Sequence, residues 1–278
     1  MGLYQKPHGS AGVSPAPNKR ARRPRSHVVF LIPNPYSLIP ILVYNVKIAL
    51  INKHLQFCLY EVTNLVMMEK IKLAIFDFDL TIVDSSDAVT TGMNALAKYK
   101  GLTPVTKEQV KKGIGLPILE AFYDLWGKSD PSWIDYYRQS ITELEYTLIK
   151  PYNDAIPTLT ELRKKGIKLA VASNRQRPAD ALEKLKLFQY FDDAIGLNDG
   201  VTPKPSPEML NVLMQRFNVT PDETVYIGDS LIDMETAVSA KTRGIGVTTG
   251  NHTAAEIISA GAWKSINSLW ELTECLTF

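Results

Sequence analysis

Short apolar runs, each followed by polar or acidic residues, recur at 72–78, 168–173, 224–228 and 244–248. Runs of this length suit strands buried on both faces rather than helices. Helical patterns with recognisable ends lie between them. Ile156, Leu159 and Leu162 recur at helical spacing, and Lys164-Lys165-Gly166 supplies a basic last turn and a glycine stop. Ser206-Pro207-Glu208 reads as an N-cap, a proline at the first helical position and an acid in the first turn. Thr253-Ala254-Ala255-Glu256 has capping-box spacing. Strands alternating with helices predict an α/β, Rossmann-like parallel sheet with helices on both faces.

Residues 86–150 break that rhythm. They hold no strand pattern but four helical ones, beginning near Asp87, Thr106 (with Gln109 at capping-box spacing), Pro117 and Asp130-Pro131. An all-helical insertion between the first two strands is expected. The chain then divides into an α/β core of residues 69–84 and 151–278, an α-helical domain of residues 85–150 and a leader of residues 1–68. Trp126, Trp133, Tyr136 and Tyr137 read as the core of the insertion. Gly113-Ile114-Gly115-Leu116 suits either a loop closing over a site or a plain helix–helix turn.

The leader stands apart in composition. Its first 66 residues carry eight Lys/Arg and one acid, net +7, which leaves the rest of the chain at −5. A nucleic-acid binder is expected to carry its positive charge on the folded domain, so no nucleic-acid partner is predicted. The apolar stretch from Val28 to Ile51 is broken by Pro33, Pro35, Pro40 and Lys47, and fails as a membrane span. It also lacks a clean secretory signal. Met67 and Met68 immediately precede the first strand pattern, as in a reading frame extended upstream of the working start. The leader is therefore read as poorly ordered and outside the native protein, in preference to an organellar transit peptide. Cys58 and Cys275 form no CxxC pair, which fits a reducing, cytoplasmic setting. Only His252 follows the leader, and it reads as a surface-loop residue, so neither a multi-histidine metal site nor a second candidate for a Ser–His–Asp triad has material.

Ligands of parallel sheets sit beyond the carboxyl ends of the strands. There the first run delivers Asp77-Phe78-Asp79-Leu80-Thr81, the second Ser173-Asn174, and the third Gly228-Asp229-Ser230 with Asp233 four residues after Asp229. Lys204 stands in a proline-flanked loop between the last two. Each signal alone is ordinary turn or surface chemistry. Together they form a kit for phosphoryl transfer: a nucleophile, charge neutralisation and a proton donor. Asp77 and Asp229 offer hard oxygens suited to magnesium. If the chain bends after Asp77, Asp79 can face the leaving oxygen as acid and then base. Thr81, Ser173, Asn174 (through its backbone N–H) and Lys204 form the phosphate-facing set, and Asp233 steadies that lysine or the metal's water shell. Arg175 and Arg177 read as solvated side chains.

These four elements, in this order, resemble the haloacid dehalogenase-like (HAD) hydrolase superfamily over about residues 70–265, with phosphoglycolate-phosphatase-like enzymes as the nearest subgroup. The resemblance implies that Asp77 is the nucleophile, Asp79 the acid/base, and Ser173 and Lys204 the phosphate ligands. It also implies magnesium held by Asp77, the backbone oxygen of Asp79, and Asp229. The helical insertion corresponds to the family's mobile cap. Leu80 stands where glycine is often found. The expected activity is hydrolysis of a small phosphorylated metabolite, phosphoglycolate first, through an aspartyl-phosphate, by a monomer or homodimer. The alternatives are a sugar phosphomutase, a phosphonate hydrolase using Lys98 or Lys112, and a non-catalytic phosphate-binding module.

Overall fold

The apolar tetrapeptide Leu73-Ala74-Ile75-Phe76 forms β1 (Leu73–Phe76), closed to solvent on both faces. The computed structural model describes residues 70–141 and 144–276. The expectations for residues 1–68 lie outside the described residues. β4 (Lys168–Ala172) and β6 (Thr224–Gly228) flank β1 in parallel register. β5 (Asp193–Ile195), β7 (Arg243–Val247) and β8 (Lys264–Ile266) extend the sheet to the order β5-β4-β1-β6-β7-β8, parallel throughout. The two outermost strands escape the apolar-run pattern because each has three residues and opens on a charged one.

Alternation along β1 sends its side chains into two separate clusters, as a sheet covered on both faces requires. Ala74 and Phe76 join Leu159 and Leu162 of α6 (Ala155–Lys164), Leu182 of α7 (Pro178–Lys184) and Leu272 of α11 (Leu272–Cys275). Leu73 and Ile75 join Met209 and Leu213 of α8 (Glu208–Phe217) and Ala237 of α9 (Leu231–Ser239). The Ser206 signal shifts by one place: the helix starts at Glu208 with Pro207 at its cap, while Ser206 Oγ still accepts from the Glu208 N–H at 3.3 Å. The Thr253–Glu256 capping box opens α10 (Ala254–Ser259) as expected.

Between β1 and β4 the chain leaves the sheet through β2 (Val83–Asp84) and returns through β3 (Lys150–Pro151), an antiparallel pair that brings the two ends of the insertion together. The insertion contains α1 (Ser86–Lys100), α2 (Lys107–Lys111), α3 (Ile118–Trp126), α4 (Trp133–Ile141) and α5 (Glu145–Leu148), one helix more than the sequence pattern suggests. The Thr106–Gln109 capping box forms at α2. Met93, Leu96, Phe122 and Trp133 build a core distinct from the two sheet clusters, with Trp126, Tyr136 and Tyr137 packed against it. Phe122 sits 5.8 Å from the Trp133 ring and 6.0 Å from that of Trp126, centroid to centroid. Among the described residues no helix is long and apolar enough to cross a membrane.

Candidate active site

β1 ends one residue before Asp77, whose N–H still donates to Ile227 O on β6 at 2.8 Å. That ladder bond delivers its carboxylate to the sheet edge. The chain then turns: Ile82 N–H reaches back to Phe78 O at 3.1 Å and Leu80 N–H to Val83 O at 2.8 Å. Leu80 takes φ +57°, the left-handed region that favours glycine, which gives a steric reason for the glycine often found there. The Leu side chain is fully buried, and its packing offsets the backbone cost.

Asp77 meets Lys204 at once. Lys204 Nζ, 3% exposed, donates to Asp77 Oδ1 at 2.7 Å, to Asp233 Oδ1 at 2.7 Å and to the Tyr226 hydroxyl at 3.1 Å. Its three protons thus have three partners. Despite its burial, the charges of Asp233 and Asp77 hold its pKa well above the ordinary lysine value. Asp233 is equally committed. Its Oδ2 accepts from Ser230 Oγ at 2.6 Å and Ser230 N at 3.1 Å, and its Oδ1 also accepts from Tyr226 at 2.9 Å. Of the two roles expected of Asp233, the arrangement supplies the lysine's anchor.

Asp229, after β6, accepts from Thr81 Oγ1 at 3.0 Å. Thr81 therefore spends its proton on a carboxylate rather than facing a phosphate. The carboxylate oxygens of Asp77, Asp229 and Asp233 approach within 4.8 Å of one another, all buried. Burial, then the charges of Asp233 and Asp77, drives the Asp229 carboxyl well above the usual carboxylate range. Burial likewise pushes Asp77 to about 7, with Asp233 and Asp79 adding to it against the opposing charge of Lys204. Three acids face one lysine, and a divalent cation on hard oxygens is what such a cluster lacks. The donor set fits magnesium. Glycine at 250 leaves room for the Asp229 carboxylate, which a Cβ there would overlap.

Arg175 corrects the sequence reading. It is not a solvated side chain: Nε and Nη2 grip Asp79 Oδ2 and Oδ1 at 2.7 and 2.8 Å, and Nη1 donates to Glu145 Oε1 of α5 at 2.5 Å. Its guanidinium also lies 4.9 Å from the Phe78 ring. Burial works to raise the Asp79 pKa, but the Arg175 charge and hydrogen bonds hold it below the ordinary value. The Asp79 carboxylate stands outside the three-acid group, which leaves its backbone oxygen as the atom the resemblance assigns to the metal. Arg177, by contrast, is exposed as expected, 3.6 Å from Asp180.

A second tie joins sheet edge to insertion. Asn174 Nδ2 donates to Gly115 O at 3.0 Å, while its Oδ1 accepts from Lys204 N at 2.9 Å. The Gly113–Leu116 segment is thus both a helix–helix connection, between α2 and α3, and part of the cavity's lining. Ser173 is buried at the floor and accepts from Arg175 N at 3.3 Å. Asp77, Asp79, Ser173 and Asn174 line a cavity of about 760 Å³ roofed by the insertion. Three contributors escaped sequence reasoning. Arg175 directly follows Ser-Asn at a strand end and carried a usable signal. Tyr226 was hidden as an apolar strand residue, and Glu145 had no signal at all.

Residues 74–247 match the family described as haloacid dehalogenase-like hydrolase. A phosphoglycolate phosphatase of Vibrio vulnificus is 30% identical over 210 residues, covering 69% of this chain and 90% of that protein. Pyrophosphatase PpaX of Bacillus velezensis is 25% identical over 181 residues, covering 64% of this chain and 84% of its own. A crystal structure described as a haloacid dehalogenase-like hydrolase of Bacteroides fragilis superposes with a TM-score of 0.69 at 32% identity, covering 73% of this chain and all of its own.

Proposed function

The chain belongs to the haloacid dehalogenase-like hydrolases, and from that premise we propose that it is a magnesium-dependent phosphatase acting on a phosphomonoester through Asp77. The supporting observation is the placing of Asp77 at the cavity floor, bonded to buried Lys204 and grouped with Asp229 and Asp233.

An oxygen of the Asp77 carboxylate attacks phosphorus in line, and the ester P–O bond breaks as the aspartyl-phosphate forms. Asp79 gives the departing alkoxide its proton. That step requires Asp79 to be protonated, whereas the Arg175 clamp favours the carboxylate, the form that next takes a proton from water. Water attack at phosphorus then breaks the Asp77–phosphoryl bond and releases inorganic phosphate. Ser173 and the Asn174 backbone N–H hold phosphoryl oxygens, and Lys204 keeps Asp77 oriented. Asp77, the Asp79 backbone oxygen and Asp229 would hold magnesium, which would supply positive charge to offset the repulsion between carboxylate and phosphate dianion. The insertion covers the site as the cap the resemblance implies, and the protein acts in the cytoplasm.

Phosphoglycolate and pyrophosphate, taken from the names of the relatives, are the first compounds to assay. Asp77→Asn is expected to abolish magnesium-dependent release of phosphate from p-nitrophenyl phosphate. Turnover that survives this change refutes the mechanism.

A further inference from the structure

The cavity that receives the phosphoryl group is far larger than a phosphoryl group needs, and its two sides differ in kind. The sheet edge contributes the polar floor. The insertion contributes an apolar wall that includes Val89, Met93, Leu116, Leu119, Ile134 and Ile141, from three helices and one loop. Met93 and Ile141 are buried, whereas the other four are only partly covered by protein. About 760 Å³ falls in the range of pockets that bury ligands of drug-like size. A two-carbon acid would leave most of that space, and nearly all of the apolar wall, to water. Its carboxylate would also want a cation. Of the three arginines lining the cavity, Arg175 faces Asp79 and Glu145, Arg177 faces Asp180, and Arg138 is an exposed residue of α4.

We infer that the leaving alcohol is a ring-bearing, largely apolar body, aromatic or heteroaromatic, seated against this wall, so that the substrate is a phosphomonoester of a ring compound and not phosphoglycolate. The inference rests on the phosphatase reading above and names its substrate class. Each buried methylene-sized group contributes a factor of about four in affinity, so three give about sixtyfold. A ring covers more than that.

The test compares alkyl phosphomonoesters of similar leaving-group reactivity on the full chain with magnesium: flavin mononucleotide and pyridoxine 5′-phosphate against phosphoglycolate and glycerol 3-phosphate. The expected kcat/KM is at least about tenfold higher for the two ring esters, and Leu116→Asn is expected to erode that advantage several-fold. Equal or better turnover of phosphoglycolate or glycerol 3-phosphate would overturn the inference while leaving the phosphatase reading intact. Calorimetric titration with the free alcohols decides the same point without turnover. Tighter binding of pyridoxine than of glycolate supports the apolar seat, and the reverse removes it. Failure of every ester to release phosphate would break the phosphatase reading and with it the leaving-alcohol assignment, whereas the titration would still report on the apolar seat.

Discussion

The carboxyl edge of the sheet and the helical insertion above it hold their side chains in different ways. At the edge, buried charged and polar side chains are tied to one another by hydrogen bonds. Lys204 has three acceptors, and Asp233 takes four hydrogen bonds through its two carboxylate oxygens. In the insertion, an aromatic cluster supplies cohesion, and the wall over the cavity is partly covered aliphatic surface. Among the described residues three side-chain ties cross between insertion and core near the site: Arg175 to Glu145, Asn174 to Gly115 O, and Asn251 to Lys111 O. Directional hydrogen bonds in a buried polar network fix positions tightly, while non-directional apolar packing tolerates change of shape. On the proposed reading, reaction chemistry belongs to the hydrogen-bonded half and choice of leaving group to the apolar one.

The contrast can be broken most forcefully at Lys204. Lys204→Met leaves three buried acids without their cation, and a loss of about 3–5 kcal/mol is expected in urea unfolding, partly restored by magnesium. An unchanged midpoint would mean that the network does not hold the edge together. Phe122→Ala asks the same of the insertion. Removal of a fully buried ring should cost about 3–4 kcal/mol, read through the fluorescence of Trp126 and Trp133 beside it. A loss under about 1 kcal/mol would show that the insertion has no core of its own.

Arg175→Ala probes the crossing between the halves. Asp79 loses both of its guanidinium bonds and α5 loses its tie, so kcat should fall by about 10- to 100-fold, a part of what a positioned acid/base contributes. A KM effect alone would assign Arg175 to substrate binding instead. The smallest effect is expected far from the site, at Asp192. Burial works to raise its pKa, but the Leu169 N–H, with Lys168 and Arg163, holds it below the ordinary value. The stability it adds is complete above the unfolded carboxylate value, about 4, and drains away as pH falls through the lower folded one. Asp192→Asn should therefore flatten the acid limb of a stability–pH curve and leave neutral-pH turnover alone. Unchanged acid sensitivity would place that loss elsewhere.

Legibility in the sequence follows the same division. β1, β4, β6 and β7 are apolar runs buried on both faces, and burial of that kind leaves a periodicity that can be read. Asp77, Ser173 and Asp229 were found because each follows such a run. β5 and β8 lie at the margins, where three residues suffice and no run develops. Arg175 was misread because a lone arginine carries no mark of its partners, and its burial depends on Asp79 and Glu145, 96 and 30 residues away. The apolar wall was invisible for a related reason. Val89, Leu119 and Ile134 look in sequence like any inward-facing helical residue, and only the packed insertion shows that they front a cavity.

One carboxylate ties folding to chemistry more closely than the others. Asp233 closes the first turn of α9 through the exchange of its Oδ2 with Ser230, and its other carboxylate oxygen anchors Lys204. A substitution there would fray a helix start and unseat a charge in a single event. A mutational screen that scores turnover alone would file both injuries under one heading, and would credit Asp233 with a chemical importance that belongs in part to its work as a splice between strand, helix and loop.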